Sequence, residues 1–164
     1  MFLCKKLKAM KQFRVLATLL FIGIAMVANA QKSPSITIEK QSKFQLDKTV
    51  ETIRKSAKDA GWSIPTEHDM QASMKKAGKD VKPTKIIVLC NAEHAFKVLD
   101  NDQMKHFLAL MPCRVSVYEK ADGNTYLSMM NLKALSENTD QETKALMANV
   151  QNDINDIIKG VIED

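Results

Sequence analysis

The chain has 164 residues, of which 45% are hydrophobic and 26% charged, with five glycines and four prolines; these are the proportions of one folded domain and exclude a disordered tail. Its formal charge of +5 comes from the first thirty residues, where Lys5, Lys6, Lys8, Lys11 and Arg14 meet no acid, leaving 19 basic against 19 acidic residues beyond them. A neutral body lacks the cationic surface that drives nucleic-acid affinity, so no nucleic-acid partner is expected.

In chain order, the basic start is followed by an apolar run, Val15 to Val27, and by the small-residue site Ala28-Asn29-Ala30 before Gln31. These three parts make a cleavable secretory signal peptide over residues 1–30, with cleavage between Ala30 and Gln31. An apolar run of 13 residues is shorter than the roughly 20 that span a bilayer, so no stable membrane insertion is expected after cleavage and the destination is periplasmic or extracellular. Met1 and Met10 both open a well-proportioned signal, so either can be the start. Cys4 precedes the apolar run, the wrong place for a lipoprotein cysteine, and leaves with the signal.

Residues 31–35 read as a short tether and 36–164 as a single domain. Ile36 to Phe44 carries apolar residues in partial alternation and predicts a first strand. Asp47 is the expected N-cap of a helix with Val50, Ile53, Ala57 and Ala60 on one face, ended by Gly61. Trp62 to His68 predicts a second strand, placed at an edge because Pro65 interrupts it. Met70 to Lys76 is a short helix closed by Gly78. Lys85 to Cys90, with Ile86, Ile87, Val88 and Leu89 in succession, reads as a strand buried on both faces. Asn91 caps a helix through Phe96 and Leu99, and Gln103 to Leu110 continues helical up to Pro112. Arg114 to Glu119 and Thr125 to Met130 form a hairpin turned by Asp122-Gly123. Asp140 to Ile162, with Leu146, Met147, Val150, Ile154, Ile157, Ile158 and Val161 at helical spacing, predicts a long amphipathic helix lying across the sheet. Strands and helices do not alternate regularly, so the expected class is α+β with a mainly antiparallel sheet.

Several stretches carry a family likeness: Thr49-Val50-Glu51-Thr52-Ile53 in the first helix, Glu67-His68-Asp69-Met70-Gln71-Ala72 after the second strand, Cys90-Asn91 after the third, and Leu110-Met111-Pro112-Cys113 before the fourth. Over Phe44 to Ile162 the chain resembles the bacterial and archaeal family known as domain of unknown function 302, in a branch with two cysteines. That branch usually shows Cys-Asn-Pro and Leu-Pro-Cys; here Ala92 replaces the first proline and Met111 intrudes into the second motif. The resemblance implies a compact α+β domain that tends to form a homodimer, an assembly to which the apolar stripe of the last helix could contribute. It implies no activity, catalytic residue or ligand.

After processing, Cys90 and Cys113 are the two cysteines left, an even number in an oxidising compartment. If the third and fourth strands run antiparallel, the two thiols meet at one end of the sheet. Four roles are open to them. A structural disulfide would close a 24-residue loop and stabilise by roughly 3 kcal/mol in the chain-entropy model. A redox-active pair would use the helix that follows Cys90 to favour the thiolate. A soft-metal site for Cu or Zn would join both thiols to His94, four residues after Cys90, with His106 or Met111 as a fourth ligand. Inert buried thiols are the fourth role. His68 and Asp69, at a strand-to-helix junction, and Asn91 form a possible polar site, although Asp69 is most simply a helix cap. No phosphate loop, nucleophile elbow or His-Glu-x-x-His is present, so no catalytic residue is assigned and nothing requires an enzyme or a cofactor. The residues thus point to a binding or interaction module, with thiol-redox or soft-metal handling as the alternative.

Overall fold

The computed structural model describes residues 35–163. The expected signal peptide and its cleavage site therefore lie outside the described residues.

Five strands form one antiparallel sheet in the order β1-β5-β4-β3-β2: β1 (Thr37–Gln41), β2 (Glu67–Asp69), β3 (Thr84–Leu89), β4 (Cys113–Glu119) and β5 (Thr125–Met130). The helices are α1 (Leu46–Asp59), α2 (Met70–Lys76), α3 (Ala92–Asp100), α4 (Leu132–Leu135) and α5 (Gln141–Ile158), with a 3-10 turn at Lys105–Leu110. The α+β class and the antiparallel sheet are as the sequence predicts.

Register decides the faces of the sheet. Val115 stands opposite both Ile87 and Met129, and Val117 opposite Leu127; directly opposed residues share a face, so these five side chains form one apolar surface. Helices α1 and α5 cover it. Leu46, Thr49, Val50, Ile53 and Ala57 recur every three or four residues along α1 and are all buried, as are Leu146, Met147, Val150, Ile154, Ile157 and Ile158 of α5. Both stripes meet the sheet in one core. The apolar stripe of α5 is thus occupied inside the chain, and the large apolar residues that lie exposed among the described residues are Ile36, Val81, Phe96, Leu99 and Leu108. On the reverse face, Ser116 opposes Ser128 and Tyr118 opposes Tyr126, and all four are half-buried.

Several boundaries differ from expectation for local reasons. Helix α1 begins at Leu46 with Gln45 as N-cap, and Asp47 sits inside its first turn, where a carboxylate still meets the positive end of the helix dipole. The stretch 62–68 yields only Glu67 to Asp69 as strand: Trp62 turns into the core, Ser63 makes an isolated bridge to Cys90, and Pro65 has no N–H to add to a ladder. Strand β3 is deeply buried only in its second half, Ile87 to Leu89. The short α4 is an element that the sequence pattern does not predict. It starts at an Asn131 cap, and its first N–H, on Leu132, donates to the side chain of Gln151, buried in α5.

Candidate functional site

Strand β3 ends where β4 begins, and Leu89 pairs with Cys113. The antiparallel register therefore brings Cys90 and Cys113 to the same end of the sheet. Cys90 is fixed by its backbone: its N–H donates to the Ser63 carbonyl at 3.0 Å, and its own carbonyl accepts from the Ser63 N–H at 2.8 Å and the Ser63 hydroxyl at 2.9 Å. Cys113 follows a cis Met111-Pro112 bond. Both cysteines are free thiols.

The two thiols share the wall of a partly enclosed cavity of about 50 Å3 with Trp62, His94, Val98, Phe107, Met111 and Met147, among other mainly apolar side chains. Burial pushes the Cys113 thiol up to about 11, the neighbouring Cys90 adds to the rise, and Arg114 opposes it.

Helix α3 carries His94 into this wall. Asn91 caps α3, its side-chain oxygen accepting the His94 backbone N–H at 3.1 Å, so the first turn is fixed and with it the direction of the imidazole. His94 Nε2 lies 2.7 Å from Asp153 Oδ2 on α5. An ionised carboxylate only accepts, so Nε2 carries the proton. The other ring nitrogen, Nδ1, is buried and has no hydrogen-bond partner. The Trp62 ring leans on the imidazole, with centroids 5.7 Å apart and planes at 52°.

Not every residue singled out in the sequence arrives here. Asn91 does, as a cap. His68 and Asp69 pair with Ile86 and Lys85 near the start of β3, whereas Asn91 follows its end, about 20 Å away at ~3.4 Å per residue. The three therefore do not make one polar site. Asp69 is the N-cap of α2, accepting the Ala72 N–H at 2.8 Å. His106 is exposed on the 3-10 turn and lies outside the cavity wall, while Met111 lies within it. Among the described residues, no three His, Cys, Asp or Glu side chains are placed together as a preformed metal site. The cavity wall also includes Trp62 and Met147, which no sequence pattern marks out, and Asp153 holds its histidine from behind. Trp62 follows a glycine turn and has the pattern of a strand residue; Asp153 is one of several acids on a helix, with nothing local to mark it.

A family model described as "Domain of unknown function DUF302" matches residues 38–161. The structure is similar to a crystal structure of an uncharacterized conserved protein DUF302 from Bacillus stearothermophilus, at 20% identity, with 76% of this chain and 96% of that one covered and a TM-score of 0.67. That likeness concerns the fold. No curated protein matches the chain.

Proposed function

The chain belongs to the DUF302 family, and from that premise we propose that its mature part is an exported, non-enzymatic binding module whose small ligand sits in the cavity shared by Cys90, His94 and Cys113. The observation that carries this reading is the coincidence, at one place, of an apolar enclosure with a buried imidazole nitrogen that has no partner. A buried polar atom without a hydrogen bond costs roughly 1–3 kcal/mol, and a ligand that meets it recovers that loss. Size narrows the occupant. At about 50 Å3 the cavity is far below the roughly 300–1,000 Å3 of pockets for drug-sized molecules, so the ligand is an ion or a group of a few atoms.

Native mass spectrometry of the mature protein recovered from its own cell envelope tests the proposal. The expected result is a small excess mass that denaturation removes and that Ala95→Phe, which fills the cavity wall, abolishes. Identical masses before and after denaturation would overturn it. The same spectrum reads the export expectation, since a chain starting at Gln31 is required and one retaining Met1 or Met10 refutes it. A homodimer belongs to this reading on the strength of the family resemblance, with the α5 stripe no longer available to support it; light scattering at micromolar concentration decides, and a monomer there removes the dimer.

A further inference from the structure

On the side of α3 that faces away from the cavity, we propose a docking surface for a basic amphipathic helix of a partner protein.

Helix α3 has five apolar residues in nine, Ala92, Ala95, Phe96, Val98 and Leu99, and they are spread around its circumference. An amphipathic helix needs one neighbour, whereas a helix that is apolar all round is normally buried all round. Only one side of α3 is covered. His94, Ala95 and Val98 line the cavity, while Phe96 and Leu99, three residues apart and so on one face, are 61% and 51% exposed. The 3-10 turn packs against α3 and adds the exposed Leu108. Three of the five large apolar residues exposed among the described residues thus fall between positions 96 and 108. Singly scattered apolar residues are normal on any surface; such a grouping marks an interaction site.

Charge identifies the occupant. Beside Phe96 lies a groove of about 410 Å3, lined by Phe96, Lys97, Asp100, Asn101, Asp102 and Glu142, so that three carboxylates face one ammonium. Lys105 pairs with Asp102, whereas Asp100 and Glu142 take part in none of the ion pairs among the described residues. Glu93, three residues before Phe96, extends the acidic rim on the same face of α3. A second copy related by a two-fold axis would set these acids against their own equivalents, and an anionic membrane would be repelled by them. A basic helix satisfies both features of the surface. Its apolar side chains, recurring every three or four residues, pack against the ridge of Phe96 and Leu99, and its Lys or Arg side chains reach Asp100 and Glu142. The surface is separate from the cavity, and its occupation does not depend on what the cavity holds.

The test is fluorescence anisotropy of a labelled synthetic amphipathic helix of leucine and lysine, titrated with the mature protein. Binding in the micromolar range is expected, weakened at least about 10-fold in Phe96→Ala. The double variant Asp100→Asn with Glu142→Gln should also lose about 10-fold, together with most of the dependence on salt. Glu51→Gln removes an exposed acid of α1, outside the groove, and should bind as the wild type does. All these side chains are exposed, so circular dichroism should find every variant folded. A peptide of the same charge with serine in place of leucine should not bind. Equal binding by wild type and Phe96→Ala, unchanged affinity in the double variant, equal binding of the serine peptide, or no binding of the leucine–lysine helix would each overturn the proposal. Self-association of the wild type that Phe96→Ala abolishes in the absence of peptide would also overturn it, assigning this face to a second copy.

Discussion

His94 and Asp153 are joined at 2.7 Å across 59 residues of chain, and that one bond ties α3, the helix beside the thiols, to α5, the helix that closes the core. Because Asp153 stands half in solvent, its energetic worth is small. Asp153→Asn should cost no more than about 1 kcal/mol in urea melts. Its effect on the ring should be larger: long-range proton–nitrogen NMR should find the wild-type imidazole protonated at Nε2 and the variant with a changed tautomer distribution. An unchanged imidazole spectrum in Asp153→Asn would show that the carboxylate does not set the tautomer.

Cys113 makes stability fall in alkali. Its folded value of about 11 lies above an ordinary thiol value of 9, so between these the unfolded chain releases a proton that the folded chain retains. The stabilisation is complete below about pH 9 and is lost as pH rises towards 11, by about 1.4 kcal/mol per unit and no more than about 3 kcal/mol in all. Urea melts at pH 8 and pH 10.5 in reductant should show this fall in the wild type and less of it in Cys113→Ala. Equal slopes in both proteins would refute the attribution to this thiol.

Gln151 looks like a surface residue on a polar position of α5, yet it is buried and accepts the Leu132 N–H at 2.9 Å, while its amide donates to Asn155 at 3.3 Å. Gln151→Leu should therefore destabilise by about 1–3 kcal/mol, although it adds apolar volume to a core helix, because it strands a buried backbone donor. A neutral or stabilising result in thermal melts would show that water reaches Leu132.

Apolar residues should divide sharply by face. Leu127 is 0% exposed beneath the helices, and Phe96 is 61% exposed on α3. Leu127→Ala should cost about 2–5 kcal/mol and Phe96→Ala no more than about 0.5 kcal/mol in the monomer. A large loss at Phe96 would mean that a second copy or another partner covers it.

Oxidation offers a direct reading of the thiol pair. Mild disulfide reagents should bridge Cys90 to Cys113 within one chain and raise the melting temperature, since a 24-residue loop constrains the unfolded state by up to roughly 3 kcal/mol. Peptide mapping should recover the linked pair; linkage only between chains would show that the sulfurs do not approach within one molecule.

Short-range physics was legible in the sequence. Asn91 and Asp69 as caps, the Asp122-Gly123 hairpin and the apolar spacing of α5 all depend on neighbours within a few residues, and each appears in the structure. That Cys90 and Cys113 stand at the same end of the sheet was also readable, because an antiparallel pair of strands fixes which ends coincide. Only the tertiary structure decided the rest. Trp62 is expected in a strand and is instead claimed by the core, Gln151 finds a donor 19 residues away, and His68 is separated from Asn91 by the length of β3. The cavity itself, with Asp153 behind His94, arises where α3, α5 and one sheet end converge. No local pattern encodes such a place: a side chain's partner across a fold is set by the packing angle and offset of whole elements, and these follow from the sum of many weak apolar contacts rather than from any one residue.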